Sequence, residues 1–341
     1  MSEATEKTRI CIVATPDSSV TPVTGLYETM LYVADLTVPD ERRGDADGRF
    51  EVEIVAESAG PIECPSGLQL TAHRSVDDVP RADVVIVPSM AFRGGGWQPG
   101  RYPKLVHWLR EMYSGGATLC SACTGANLAA ETGLLDGNEA TVHWMSERGF
   151  RRRHPDVILR PAEVLVVSGD GGRLVTSGAA NAWHDLALYL IAQHVGPATA
   201  QAVARFLLFE WHRDGQAAFQ VFDPPTDHGD AAVLASQRAI AEDFAVAAPV
   251  DEMVRRSGLA PRTFKRRFKA ATDLTPIAYV QRIRVERAKR MLETGEQPIE
   301  EISWAVGYED PASFRRLFKR LTGLTPGSYR QRFRVPEVPV G

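Results

Sequence analysis

The sequence predicts an α/β domain followed by an all-α domain. Up to about residue 215, apolar β-branched runs alternate with helix-like stretches. After about residue 231 the strand pattern stops. The remaining chain repeats itself, residues 248–282 being echoed by 297–332. A length of 341 residues suits two such domains.

Four segments have the composition of parallel strands covered on both faces: RICIVAT (9–15), FEVEIVAE (50–57), ADVVIVPS (82–89) and ATLCSA (117–122). Helix-like stretches lie between them, at 25–36 and 103–115. Alternating β and α units imply a flavodoxin-like parallel sheet with helices on both faces. Residues 37–49 are charged and Gly-rich, and read as a surface loop. Residues 174–196 read as a last strand, a turn and a long helix, and 198–212 continue helical. The prolines and glycines of GQAAFQVFDPPTDHGD then mark a linker. The expected domains are 8–215 and 231–334, joined by linker 216–230.

Composition narrows the function. The apolar and charged contents, 44% and 24%, are ordinary for a soluble protein. No uninterrupted apolar run is long enough to span a bilayer, and the polar start MSEATEK is no secretory segment. A cytoplasmic protein without membrane partners is expected. Four cysteines in this length make no disulfide framework, and neither a metal site nor a cofactor is expected. Residues 231–341 hold 20 Lys and Arg against 13 Asp and Glu, so they carry +7 and the remainder −11. A basic module on an acidic body suggests nucleic acid, provided the charges are arranged for it.

Their arrangement is duplicated. Pro249 matches Pro298, Met253 matches Ile302 and Gly258 matches Gly307. After one inserted residue, Phe264, Phe268, Leu274-Thr-Pro276 and Tyr279 match Phe314, Phe318, Leu324-Thr-Pro326 and Tyr329. Each copy is a helix, a turn containing Gly, and a helix opened by Pro, which is a helix-turn-helix signature (about 249–270 and 298–320). Residues 280–295 would join the copies. Phe264 and Phe268, spaced i,i+4, share an inner face. Arg262, Thr263, Lys265, Arg266 and Lys269 are the candidate DNA contacts of the first copy. Ser313, Arg315, Arg316, Lys319 and Arg320 are those of the second. A helix with an aromatic inner stripe and a basic outer face can lie in a major groove; the same pattern also suits a solvated face of any helical bundle.

SGLAPRTFKRRFKAATDLTPIAYVQRIRVERAKRML and IEEISWAVGYEDPASFRRLFKRLTGLTPGSYRQRF resemble the AraC/XylS family of transcription regulators over roughly 235–334. That resemblance implies two helix-turn-helix units entering successive major grooves of double-stranded DNA. The chain departs from the family at Ala260, where a Ser usually caps the recognition helix. Asp310 caps the second copy.

CTGANLAAETGLLDG (123–137), ATVHW, TSGAAN and DLALYLIAQHVG resemble the GlxA-type subgroup, whose N-terminal domain is similar to PfpI-type proteases and class I glutamine amidotransferases. The resemblance covers about 8–215 and places Cys123 at the nucleophile-elbow position. A thiol nucleophile needs a base or another device that lowers its pKa. The His that follows the cysteine in the proteases is Thr124 here. The acid of the first βα loop, counted back from Gly25, is Thr21. With both partners replaced, no enzyme is expected and no catalytic residue is assigned. Cys120 and Cys123 form C-x-x-C, which leaves a redox sensor open; an amidase or peptidase dependent on Cys123 is the other alternative. The favoured expectation is a binding pocket for a small-molecule effector where Cys123, Thr124, His143, Trp144 and Ser177 converge, since ligands sit at this end of a parallel sheet. A homodimer formed through this domain is implied by the resemblance.

Overall fold

The computed structural model describes residues 7–37, 49–91 and 96–335. Residues 38–48, most of the stretch read as a surface loop, lie outside them. The chain divides into two compact units between Gln216 and Ala217.

In the first unit β1 (Thr8–Val13) leads into α1 (Val20–Thr37), and β2 (Phe50–Ala56) returns parallel to β1. A hairpin of β3 (Gly60–Glu63) and β4 (Gln69–Ala72) follows, then the short β5 (Arg74–Ser75). Next come β6 (Val84–Val87), α2 (Pro103–Ser114), β7 (Thr118–Ala122) and α3 (Ala126–Glu131). After β8 (Glu139–Ala140), α4 (Glu147–Arg153) and β9 (Ile158–Leu159), the chain forms β10 (Leu165–Ser168) and β11 (Leu174–Ser177). The unit closes with α5 (Trp183–His194) and α6 (Pro197–Leu207). The main sheet runs β10-β11-β7-β6-β1-β2-β5. Its pairings are parallel except that of β10 with β11.

The central strands are largely apolar because successive side chains enter two different cores. Ile10, Ile12, Val84, Ile86, Cys120 and Ala122 pack with α1, α5 and α6. Cys11, Val13, Val85, Val87 and Leu119 pack with α2 and α3 on the other face. Strand order reverses at β1: β2 lies on one side and β6 on the other, so the crevice for a ligand opens beyond the ends of β1 and β6.

Three features differ from the sequence expectation. First, α1 starts at Val20 rather than near Gly25, because Pro22 falls in the first turn, where its missing N–H costs nothing. Thr21 is consequently an exposed residue of that turn. Second, α6 ends at Leu207, where Leu208 takes a left-handed conformation at φ 57°, instead of running on to 212. Third, β3–β5 and β8–β10 are two to four residues long, too short to show a period in sequence.

The second unit is helical. Residues 217–230 lie along it: Ala218 is buried in one of its cores, Phe222 meets Tyr279 edge-on at 5.4 Å, and Gln237 donates to the Pro225 carbonyl at 3.0 Å. Asp230 caps α7 (Ala231–Glu242) and takes a two-pronged ion pair from Arg267 at 2.7 and 2.8 Å. The first repeat comprises α8 (Pro249–Ser257) and α9 (Pro261–Thr272). Helix α10 (Pro276–Thr294) joins it to α11 (Ile299–Ala305) and α12 (Pro311–Thr322), and α13 (Pro326–Phe333) follows. Proline opens five of these helices, at the position where a backbone donor is not needed. Ala260 supplies no cap to α9, whereas Asp310 accepts from the Ala312 and Ser313 amides at 2.9 and 3.0 Å. The repeat holds in the packing: Phe268 meets Tyr279 edge-on at 5.2 Å, and Phe318 meets Tyr329 the same way at 5.4 Å. Among the described residues no helix is long and apolar enough to cross a membrane.

Phe264 and Phe314 are fully buried in the two repeat cores. Replacing either by Ala should cost about 3–5 kcal/mol through the cavity left behind. Urea unfolding of the full chain measures this; a loss below about 1 kcal/mol would contradict the packing.

The cysteine elbow and the basic helices as candidate functional sites

Cys123 follows β7 directly and holds φ at +56°, a conformation that costs a non-glycine residue about 1–3 kcal/mol. The neighbourhood enforces it. A Cβ at Gly125 would sit 2.3 Å from the Val87 and Pro88 carbonyls, so the turn lies hard against the end of β6. The Thr124 hydroxyl donates to the Met90 carbonyl at 2.7 Å and accepts from the Met90 amide at 2.8 Å. These two bonds tie the turn to the chain that follows β6.

The thiol is buried, and burial pushes its pKa up to about 11. Hydrogen bonding from Thr124 pulls the other way without restoring the ordinary value. His143 makes no hydrogen bond to it: its Nδ1 accepts from the Met145 amide at 3.1 Å, and burial lowers its pKa, so the ring is neutral at pH 7. Trp144 is tilted against His143 at 5.3 Å and half-buried. Ser177 is buried opposite Ala122 in the β11–β7 register, beside the elbow. Thr141 donates its amide to Thr176 at 2.7 Å, which brings the 141–144 segment to the end of β11. All five sequence-predicted pocket residues therefore belong to segments at the C-terminal ends of β7 and β11. Cys120 points into the core shared with α1 and α5, burial raises its pKa, and both cysteines are free thiols.

The first βα loop also carries a buried acid, Asp17, four residues before Thr21. Helix α1 starts five residues earlier than expected, so the loop that faces the sheet end is 14–19. Asp17 is buried, and its carboxylate takes Arg101 Nε at 2.7 Å, Arg101 Nη2 at 2.9 Å and the Tyr102 hydroxyl at 2.7 Å. Its backbone carbonyl accepts from the Ala91 amide at 2.7 Å. An Asp directly after a buried strand, in TPDSS, is the available signal in sequence. The pairing with Arg101, 84 residues away, has none.

On α9, Arg262, Lys265, Arg266 and Lys269 are exposed, and none forms a side-chain hydrogen bond or ion pair with another described residue. Thr263 is half-buried beside the core phenylalanines. On α12 three of the four equivalent charges are engaged. Arg315 pairs with Glu300. Arg316 donates to Ser313 Oγ at 2.8 Å, and Ser313 donates in turn to Asp310 at 2.6 Å. Arg320 reaches Gln281 at 3.4 Å, while Lys319 is exposed without such a partner among the described residues.

A doubly covered α/β sheet followed in the chain by two helix-turn-helix units defines a DNA-binding transcription regulator with an appended α/β domain. Residues 28–193 match the DJ-1/PfpI family, and residues 253–332 match a helix-turn-helix domain. The chain belongs to the DJ-1/PfpI family through its first unit and carries an AraC-type helix-turn-helix domain in its second. It is 27% identical over 267 residues to the HTH-type transcriptional regulator CdhR of Pseudomonas aeruginosa, covering 77% of this chain and 76% of that one. It is 30% identical over 211 residues to the HTH-type transcriptional regulator GlxA of Rhizobium meliloti, covering 60% and 62%. It is also 31% identical over 182 residues to the isonitrile hydratase of Pseudomonas putida, covering 51% of this chain and 76% of that enzyme.

The Cys123 thiol should react slowly with iodoacetamide. With a pKa of about 11, about one part in a thousand is thiolate at pH 8, and the rate should climb about tenfold per pH unit up to that pKa. Mass spectrometry of the labelled peptide measures it; rapid alkylation at pH 7 would contradict the buried thiol.

Proposed function

We propose that the α/β unit binds a small effector at the Cys123 end of the sheet, and that α9 and α12 contact two successive major-groove segments of an operator. The observation that carries the reading is the basic outer face of a duplicated helix whose inner face is fixed by a buried Phe pair. Four cations on α9 have no partner among the described residues and stand ready for phosphate or a base edge. Arg315 and Arg316 of α12 are held by Glu300, Ser313 and Asp310, so binding there exchanges one partner for another. Assembly as a homodimer through the α/β unit and a cytoplasmic location complete the proposal. A thermal-shift screen of metabolites against the full chain would find the effector, because a ligand of the folded state alone raises its stability.

Three observations favour a second reading. The elbow conformation of Cys123, an acid in the first βα loop and the isonitrile hydratase relative together suit a thiol enzyme. Against it, the Asp17 carboxylate is engaged by Arg101 and Tyr102, Thr124 by Met90, and the thiol is held protonated. The purified chain should therefore hydrate an isonitrile, or cleave an amide, no faster than its Cys123→Ala variant. A Cys123-dependent rate would replace the binding reading with a catalytic one.

The protected operator should contain two contacted segments about 10 bp apart. Arg266→Ala should either relax specificity at one position, at about 1–3 kcal/mol, or lower affinity evenly and reduce the salt slope by about one. Arg316→Ala should have the smaller effect, since Ser313 and Asp310 already hold its guanidinium. Titration of the full chain against salt separates these outcomes; if both variants bind as the wild type does, α9 and α12 do not enter the grooves.

A further inference from the structure

The two recognition helices belong to different cores, one built around Phe264 and Phe268 and the other around Phe314 and Phe318. Something must fix one core against the other if both helices are to meet one duplex. Helix α10 spans them, but a shared helix alone leaves each bundle free to tilt about it.

Arg284 lies mid-way along α10, is 7% exposed, and carries a charge that no acidic side chain among the described residues pairs with. Its guanidinium is satisfied by backbone carbonyls from both sides. Nε donates to Phe244 at 2.8 Å and Nη2 to Val246 at 2.8 Å, both in the connection between α7 and α8. Nη1 donates to Gly307 at 2.9 Å, in the turn between α11 and α12. The planar fork also lies 5.2 Å from the Tyr308 ring. A buried cation is tolerated only while its donors are matched. The three carbonyls are therefore held together or not at all.

The turn glycines point to the same contact. Gly258 and Gly307 occupy equivalent places in the repeat, and both have positive φ, at 66° and 84°. A Cβ at Gly258 would meet open space. A Cβ at Gly307 would lie 2.7 Å from the Ala245 carbonyl oxygen and 2.9 Å from Arg284 Cζ. Only the second turn is pressed against the first half of the unit, at the point that Arg284 bonds.

We infer that Arg284 is a positioning residue that sets the placement of α12 relative to α9, and so the operator spacing the chain accepts. This rests on the reading that both helices enter the major groove. Lysine cannot substitute, since a single ammonium does not reproduce a planar fork directed at three separate carbonyls.

The probe is a duplex selected by the wild-type full chain from a randomised DNA pool, with derivatives that gain or lose one and two base pairs between the two contacted segments. Wild-type affinity should fall about thirtyfold or more when the spacing changes by two base pairs. Arg284→Lys should bind the selected spacing about tenfold more weakly and lose no more than about threefold further at the altered spacings. Gly307→Ala, which pushes the same turn away while leaving Arg284 intact, should flatten the profile likewise and covers the case in which Arg284→Lys does not fold. A thermal melt identifies that case. Uniform weakening across all spacings, with the steep profile kept in a folded variant, would overturn the role of Arg284 alone. A wild-type profile indifferent to spacing would overturn the two-groove reading beneath it.

Discussion

The α/β unit depends on a single constraint: its central strands are covered on both faces. The interior positions of β1, β6 and β7 are then almost all apolar, since each side chain enters one core or the other, with Ser121 of β7 a buried exception. Polar groups can gather only where the strands end. They do so at the C-terminal ends, where Asp17, Ser89, Thr124 and Ser177 follow or close their strands. The hydrogen bonds there run between loops: Asp17 to Ala91, Ser19 to Ser89, Thr124 to Met90. That lattice holds Cys123 in an unfavourable backbone conformation, and it leaves the thiol buried and the acid occupied.

The helical unit solves a different problem with a repeated device. Each copy buries a Phe pair against a Tyr, and the helix that carries the pair is left with a basic outer face. Identical packing did not keep the surfaces identical. The first face presents cations without partners among the described residues; the second holds most of its cations against Glu300, Asp310 and Gln281.

Strands β1, β6 and β7 are legible in the sequence because their burial writes a largely apolar run into it, and β2 because its β-branched residues continue past Glu51 and Glu53. The helix-turn-helix repeat is legible because Gly, Pro and aromatic residues recur at nearly fixed offsets. The short strands are not, since two residues cannot display a period. The start of α1 is misplaced for a different reason: Pro22 is compatible with a first turn, so the helix begins at Val20 rather than near Gly25. Asp17 is readable as an acid directly after a buried strand, but its partner Arg101 is 84 residues away and leaves no local signal. Arg284 is invisible because its three partners are backbone carbonyls, which no side-chain pattern reports.

Residues 217–230 have the composition of a tether, yet they pack as part of a folded body. Ala218 fills a core, Phe222 lies against Tyr279, and the Gln220 carbonyl accepts from the buried Lys289. Just upstream, Gln216 is buried in the other unit, where its side chain donates to Thr141 and Val142. Dissection of this regulator into separate pieces therefore has a narrow place to cut, between Gln216 and Ala217. A fragment begun at Ala231 would carry the whole double repeat but would leave the Lys289 ammonium only Glu286 as a hydrogen-bond partner among the described residues and would remove Phe222 from the Tyr279 ring, whereas one begun at Ala217 would keep its own lining.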